Sequence, residues 1–133
     1  MAEQLTRIGR WPVAVRIGLV YVAARLVTLG FFVLASSLST SVSRFGVAPG
    51  VGKLLMGWDA QWYWVVAANG YPSPLPLTEA GQVAENAWAF LPLYPWISQG
   101  VGILVGGWPV AGPLVALIAG YFGALAFYRR MRQ

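Results

Sequence analysis

The chain has 133 residues, 58% of them apolar, with nine basic and four acidic side chains and a formal net charge of +5. An ordinary globular domain carries about a quarter charged residues against 10% here, too few to clothe a soluble surface, and intrinsic disorder is excluded because it needs low hydrophobicity and high charge. With no cysteine and no histidine there is no disulfide framework, no Cys/His zinc site, no catalytic thiol and no imidazole base, so acid–base work falls to Glu3, Asp59, Glu79 or Glu85.

Arg7, Arg10 and Arg16 precede the first apolar run, and residues 1–16 read as a cytoplasmic tail. Residues 17–38 carry Arg25 as their one charge and are long enough for a transmembrane helix, which needs about 20 apolar residues. Cations followed by an apolar run and Ala35-Ser36-Ser37 also describe a signal peptide. The run exceeds the usual h-region of about 7–15 residues and further apolar segments follow, so a retained span is expected. Arg25 is an intramembrane charge and hence a candidate for meeting a lipid phosphate or pairing inside a bundle, although its stem also allows snorkelling to the headgroups.

Residues 39–88 change to Ser, Gly, Pro and aromatic composition and read as an extracytoplasmic loop. Within it a short helix is expected near 59–69, with Asp59 as N-cap and Asn69-Gly70 as the stop. Trp58, Trp62, Val65 and Val66 would form an apolar stripe that lays this helix on the membrane surface. The stretch ending Gly52-Lys53-Leu54 is not a phosphate-binding loop: Val47 stands where that motif needs Gly, and Leu54 where it needs Ser or Thr. Asn69 and Asn86 are followed by Gly-Tyr and Ala-Trp, so neither is a glycosylation acceptor.

Residues 86–128 contain no charge. Helices are expected at 89–106 and 110–128, parted at Gly106-Gly107-Trp108-Pro109, with Pro92 and Pro95 making the first start irregular. Residues 129–133 are a basic tail. The expected fold is therefore an all-α integral membrane protein with about three transmembrane helices and a long first loop. The Lys/Arg bias places the N-terminus in the cytoplasm and the loop outside. Three spans would then leave Arg129, Arg130 and Arg132 outside as well, against the same rule. Either residues 86–128 form a hairpin that does not fully cross, or further helices follow.

The cations flank apolar segments, where they meet membrane lipids, and no basic stripe suited to nucleic acid is present. All seven tryptophans fall in or beside the proposed connections, as interfacial rings do. Small residues at Gly102 and Gly106, and at Ala116, Gly120 and Ala124, allow close helix approach.

Trp58-Asp59-Ala60-Gln61-Trp62-Tyr63, then Ala67 with Asn69-Gly70-Tyr71, then Ala89-Phe90-Leu91-Pro92-Leu93-Tyr94-Pro95 resemble, in order and spacing, the elements of the PIG-V-type mannosyltransferases. These are GT-C glycosyltransferases: many-spanning enzymes that take a sugar, usually mannose, from a polyprenyl-phosphate donor on the outer face of the membrane. Leu91 stands where the family more often has Phe. The resemblance covers about residues 16–128, which corresponds only to the N-terminal part of such an enzyme, so the remaining transmembrane helices would be partners of this segment.

The resemblance implies Asp59 as the catalytic base that takes the acceptor proton. Trp58, Tyr63, Tyr71, Glu85, Tyr94 and Arg25 stand beside it as substrate-binding candidates, and no metal or cofactor is assigned. The implied location is an integral position in a bacterial plasma membrane. Two bland readings stand beside it: Asp59 as a helix cap, and the chain as a small non-catalytic three-helix membrane protein with a structural or accessory role.

Overall fold

The computed structural model describes residues 11–133. Glu3, Arg7 and Arg10, assigned above to the cytoplasmic tail, lie outside the described residues. The described chain is helical: α1 (Val13–Leu38), α2 (Val51–Leu55), α3 (Asp59–Asn69), a single 3₁₀ turn (Ala87–Ala89), α4 (Leu93–Val105) and α5 (Trp108–Met131). One isolated bridge, Leu77 to Val83, closes a small hairpin in the loop.

α1 begins behind Pro12 and ends at Ser39, where the chain becomes extended. Two of its hydroxyls and that of its C-cap turn onto the helix's own backbone: Thr28 donates to Ala24 O at 3.0 Å, Ser37 to Leu34 O at 2.8 Å, and Ser39 to Ala35 O at 2.7 Å. Such back-bonding removes free hydroxyls from an apolar face. At 26 residues in α1 and 24 in α5, a rise of about 1.5 Å per residue makes both helices longer than a hydrocarbon core of about 30 Å. These two are long and apolar enough to cross a membrane.

α4 is apolar but has only 13 residues, or about 20 Å. The sequence pattern reads a helix from residue 89, yet the regular helix starts only at Leu93. Ala89 belongs to the 3₁₀ turn, Phe90 is extended, and Pro92 is the N-cap. Pro92 and Pro95 lack N–H groups and are tolerated only where a helix has not yet begun to use them.

α4 returns into α5 through Gly106 and Gly107, at φ 94° and 105°, left-handed values that glycine adopts without a Cβ penalty. The Gly107 amide closes on Gly102 O at 2.8 Å. A Cβ on Gly102 would stand 3.0 Å from the Gly107 carbonyl carbon, so the turn packs directly on the helix that precedes it. Trp108 is buried, with its ring against Gly112 and edge-on to Tyr94 at 6.1 Å between centroids.

α1 and α5 run antiparallel. Tyr121 donates its hydroxyl to Ala14 O at 3.1 Å, Gly18 faces the Tyr121 ring, and Tyr21 lies against Gly120 and edge-on to Tyr121 at 6.2 Å. Val13 and Arg16 share a groove with Phe127, Tyr128 and Met131. Arg16 and the Arg129, Arg130, Arg132 cluster therefore stand at one end of the pair. The loop leaves from the other end, where the Gly50 amide bonds Ser36 Oγ at 3.2 Å.

No residue of α1 is buried. Val20 is 72% exposed, Phe31 67% and Leu38 69%, the reverse of a helix in a water-soluble core. Because Tyr121 supplies a hydrogen bond across the α1–α5 contact, Tyr121→Phe is expected to weaken that contact by about 0.5–1.5 kcal/mol. The check is α1–α5 proximity by paired spin labels during detergent titration.

Candidate functional site

The loop folds against the α4–α5 hairpin through α3. Helical spacing places Asp59, Trp62, Tyr63 and Val66 on one face, and Val66 is 1% exposed. Tyr63 stands edge-on to Phe90 and to Tyr94, 5.0 Å from each, and Trp62 stacks on Phe90 at 6.2 Å. With Tyr94 against Trp108, an aromatic wall runs from α3 through the loop to α5. Edge-to-face pairs of this kind add about 0.5–1.5 kcal/mol each beyond their buried area.

Of the expected stripe, Trp62 and Val66 lie on the packed side, joined by Tyr63, which meets Tyr94 of α4, while Trp58 departs from it: 64% exposed, it turns to Phe45. The reason is local: Trp58 has φ 57° and ψ −134°, a backbone region that non-glycine residues rarely occupy. It is also the N-cap, without a side-chain cap bond, and Asp59 is the first helical residue. Asp59 is therefore not the cap that the sequence suggests. It lies exposed in the first turn, where its charge complements the helix dipole. Strain of about 1–3 kcal/mol is typical of such a residue and concentrates at functional sites.

Beside Trp58 the structure places one cation, with a second on the backbone of the neighbouring Phe45. The Arg44 guanidinium lies 5.1 Å from the Trp58 ring and 5.5 Å from the Phe45 ring, and Phe45 and Trp58 are themselves tilted together at 6.1 Å. Lys53 Nζ donates to Phe45 O at 2.9 Å. A Cβ on Gly57 would meet the Phe45 ring at 2.6 Å, so the absence of a side chain there admits the ring. Arg44 thus packs on the residue that precedes Asp59, and Lys53 is tied to the backbone of Phe45, whose ring meets that residue. Nothing in the spacing of Arg44 from Trp58, fourteen residues apart, marks the two as neighbours.

The C-terminal end of α3 borders a second feature, a cleft of about 350 Å³ lined by Trp62, Asn69, Tyr71, Glu85 and Asn86 among others. Tyr71 stacks on Trp88 at 4.4 Å and donates its hydroxyl to Phe90 O at 2.6 Å. Trp88 Nε1 donates to Pro72 O at 3.0 Å, and the Trp88 amide donates to Asn86 Oδ1 at 2.9 Å. The Asn-Gly-Tyr element and the Phe-Leu-Pro-Leu-Tyr-Pro element are thereby tied to one another. Tyr71→Phe keeps the stack but leaves the Phe90 carbonyl without its partner. A loss of about 0.5–1.5 kcal/mol is expected, with faster amide exchange across residues 88–91 as the readout.

Tyr71 and Glu85 share this cleft, and Trp62 joins it to the aromatic wall. Asp59 is ten residues from Asn69 along α3, about 15 Å of helix, so the structure does not bring Asp59 and Glu85 to one point. Glu79 sits at the tip of the loop hairpin, between the paired Thr78 and Gln82. Arg25 is remote from both features, on α1 in a groove toward α5. Among the described residues no cluster of three Asp or Glu side chains forms that could hold a metal ion.

No protein-family model, curated protein or solved structure matches the chain.

Proposed function

We propose that this chain is the N-terminal portion of an integral membrane mannosyltransferase of PIG-V type, which moves mannose from a polyprenyl-phosphate donor to a lipid-linked or protein acceptor on the extracytoplasmic face. The observation that carries the reading is convergence. The elements around Asp59, Tyr71 and Phe90–Tyr94 are apart in sequence yet meet through the Tyr63–Phe90, Tyr63–Tyr94 and Tyr71–Phe90 contacts.

The membrane setting draws support from two long helices whose apolar faces are outward. With α1 and α5 as the crossings and α4 held at the loop end, Arg16 and the Arg129, Arg130, Arg132 cluster, which share one end of the helix pair, face the cytoplasm together. The charge conflict of a three-span arrangement then disappears.

In this reading the acceptor hydroxyl oxygen attacks the anomeric carbon as the bond from that carbon to the donor phosphate breaks. Asp59 takes the acceptor proton, and Arg44 and Lys53 offset the charge of the departing lipid phosphate. The exposed ring of Trp58, held under Arg44, and the Trp62 edge of the wall offer faces on which a sugar can stack.

A transfer assay on the complete protein in membranes, with a polyprenyl-phosphate-mannose donor, tests the proposal. Mannosylated product above the protein-free background is expected, and none would count against it. A second reading, a non-catalytic membrane protein, draws support from the Tyr71 hydroxyl and the Trp88 indole, both of which are engaged with backbone carbonyls that hold the loop in shape.

A further inference from the structure

α1 carries one charged residue within its apolar length, and the position of that residue defines what must cover it. From Arg16 to Ser37 an α-helix spans about 31 Å, close to the thickness of a hydrocarbon core of about 30 Å. Arg25 is nine residues past Arg16, about 14 Å into that span. Its guanidinium reaches back one turn and rests 5.0 Å from the Tyr21 ring. Tyr21 is itself five residues short of the Arg16 level, about 7 Å, so the charge stops below the headgroups instead of emerging among them.

The same residue borders a groove of about 520 Å³ between α1 and α5, with Leu29 and Phe32 on one wall, Pro113 and Leu117 on the other, and Leu55 at the loop end. An intramembrane charge is costly and is normally paired inside a bundle. A second copy of this chain has no such anion to offer: its acidic residues are Glu3, Asp59, Glu79 and Glu85, and none lies within 13–38 or 86–131. We infer that the α1–α5 groove is the seat of a further transmembrane helix, from outside these 133 residues, that carries a carboxylate at the depth of Arg25. The inference rests on the membrane-spanning part of the proposed function and not on its chemistry.

The test uses the full chain in phosphatidylcholine vesicles, with a labelled single-span Leu/Ala peptide bearing Glu at its centre, and energy transfer as the readout. The Glu peptide is expected to associate about three- to tenfold more tightly than the same peptide with Leu at its centre, the range that polar contacts between membrane helices allow. Arg25→Leu, which makes the span more apolar and cannot hinder insertion, should erase the preference. Arg25→Glu should transfer it to a Lys-centred peptide. Equal binding of the Glu and Leu peptides to the native chain, or a preference that survives Arg25→Leu, overturns the inference. Loss of the Glu preference when anionic lipid replaces part of the phosphatidylcholine overturns it too, because a lipid phosphate would then be the anion. Mannosyl transfer is not read in this experiment, so its result and that of the transfer assay are independent.

Discussion

If Asp59 is the base of the proposed mannosyl transfer, Asp59→Asn in the complete protein should lower turnover about 10²–10⁴-fold, the usual worth of a positioned general base, while membrane insertion and helix content stay unchanged. The side chain occupies the first turn of α3, immediately after a strained Trp58, and it is exposed. Its structural share is thus a favourable dipole contact of about 0.3–1 kcal/mol, which Asn only partly surrenders. A group whose structural contribution is that small cannot explain a hundredfold loss of rate, so activity and stability separate the two roles. Glu85→Gln provides the contrast. Glu85 lines the cleft at the far end of α3, so its loss should change KM more than kcat. Near-normal turnover in Asp59→Asn, measured with saturating polyprenyl-phosphate-mannose, would sink the assignment.

Trp108→Ala is expected to give the largest loss of stability, about 3–5 kcal/mol, as for other buried aromatic truncations. Trp108 is 4% exposed and lies where α4, α5 and the aromatic wall meet. Removing its ring leaves Tyr94 without a neighbour on one side, and Tyr63 packs on Tyr94 in turn. The indole Nε1 is buried without a hydrogen-bond partner, so Trp108→Phe removes an unsatisfied donor together with some packing area. The two effects oppose each other, and the Phe variant should fall within about 1.5 kcal/mol of the parent. Equilibrium unfolding in mixed detergent, with α4–α5 distance as the probe, checks both values. A Phe variant as damaged as the Ala variant would show that the indole nitrogen matters more than the ring.

Much of the helical layout is legible in the residues themselves because its causes are local. The run containing Arg25 is apolar over the length of a bilayer, Gly106-Gly107 supplies the left-handed turn before α5, and Asn69-Gly70 ends α3 where Gly70 takes φ 72°. The start of α4 is less legible. Two prolines signal irregularity, but how far it extends depends on Phe90 remaining extended while the Tyr71 hydroxyl holds its carbonyl. The bond that fixes this point comes from a residue nineteen positions earlier. Periodicity reads α3 only in part: a nearly all-apolar helix has several faces that it can bury. The fold keeps Trp62 and Val66 on the packed side as expected, adds Tyr63 against Tyr94, and sends Trp58 to Phe45 and Arg44.

Composition, hydropathy and the distribution of cations suffice to specify a helical membrane chain with three apolar helices and a carboxylate at the start of a short helix between the first two; that α4, at 13 residues, is too short to cross alongside α1 and α5 is a property of the folded chain. The former properties follow from burial preference and backbone sterics, which act over a few neighbouring residues. The antiparallel seating of α1 on α5, the packing of Arg44 on Trp58, the aromatic wall from Trp62 to Trp108 and the separation of Asp59 from Glu85 belong to the folded chain alone. Each depends on side-chain shape and charge meeting across long loops, and such encounters leave no periodic trace in the residues that make them.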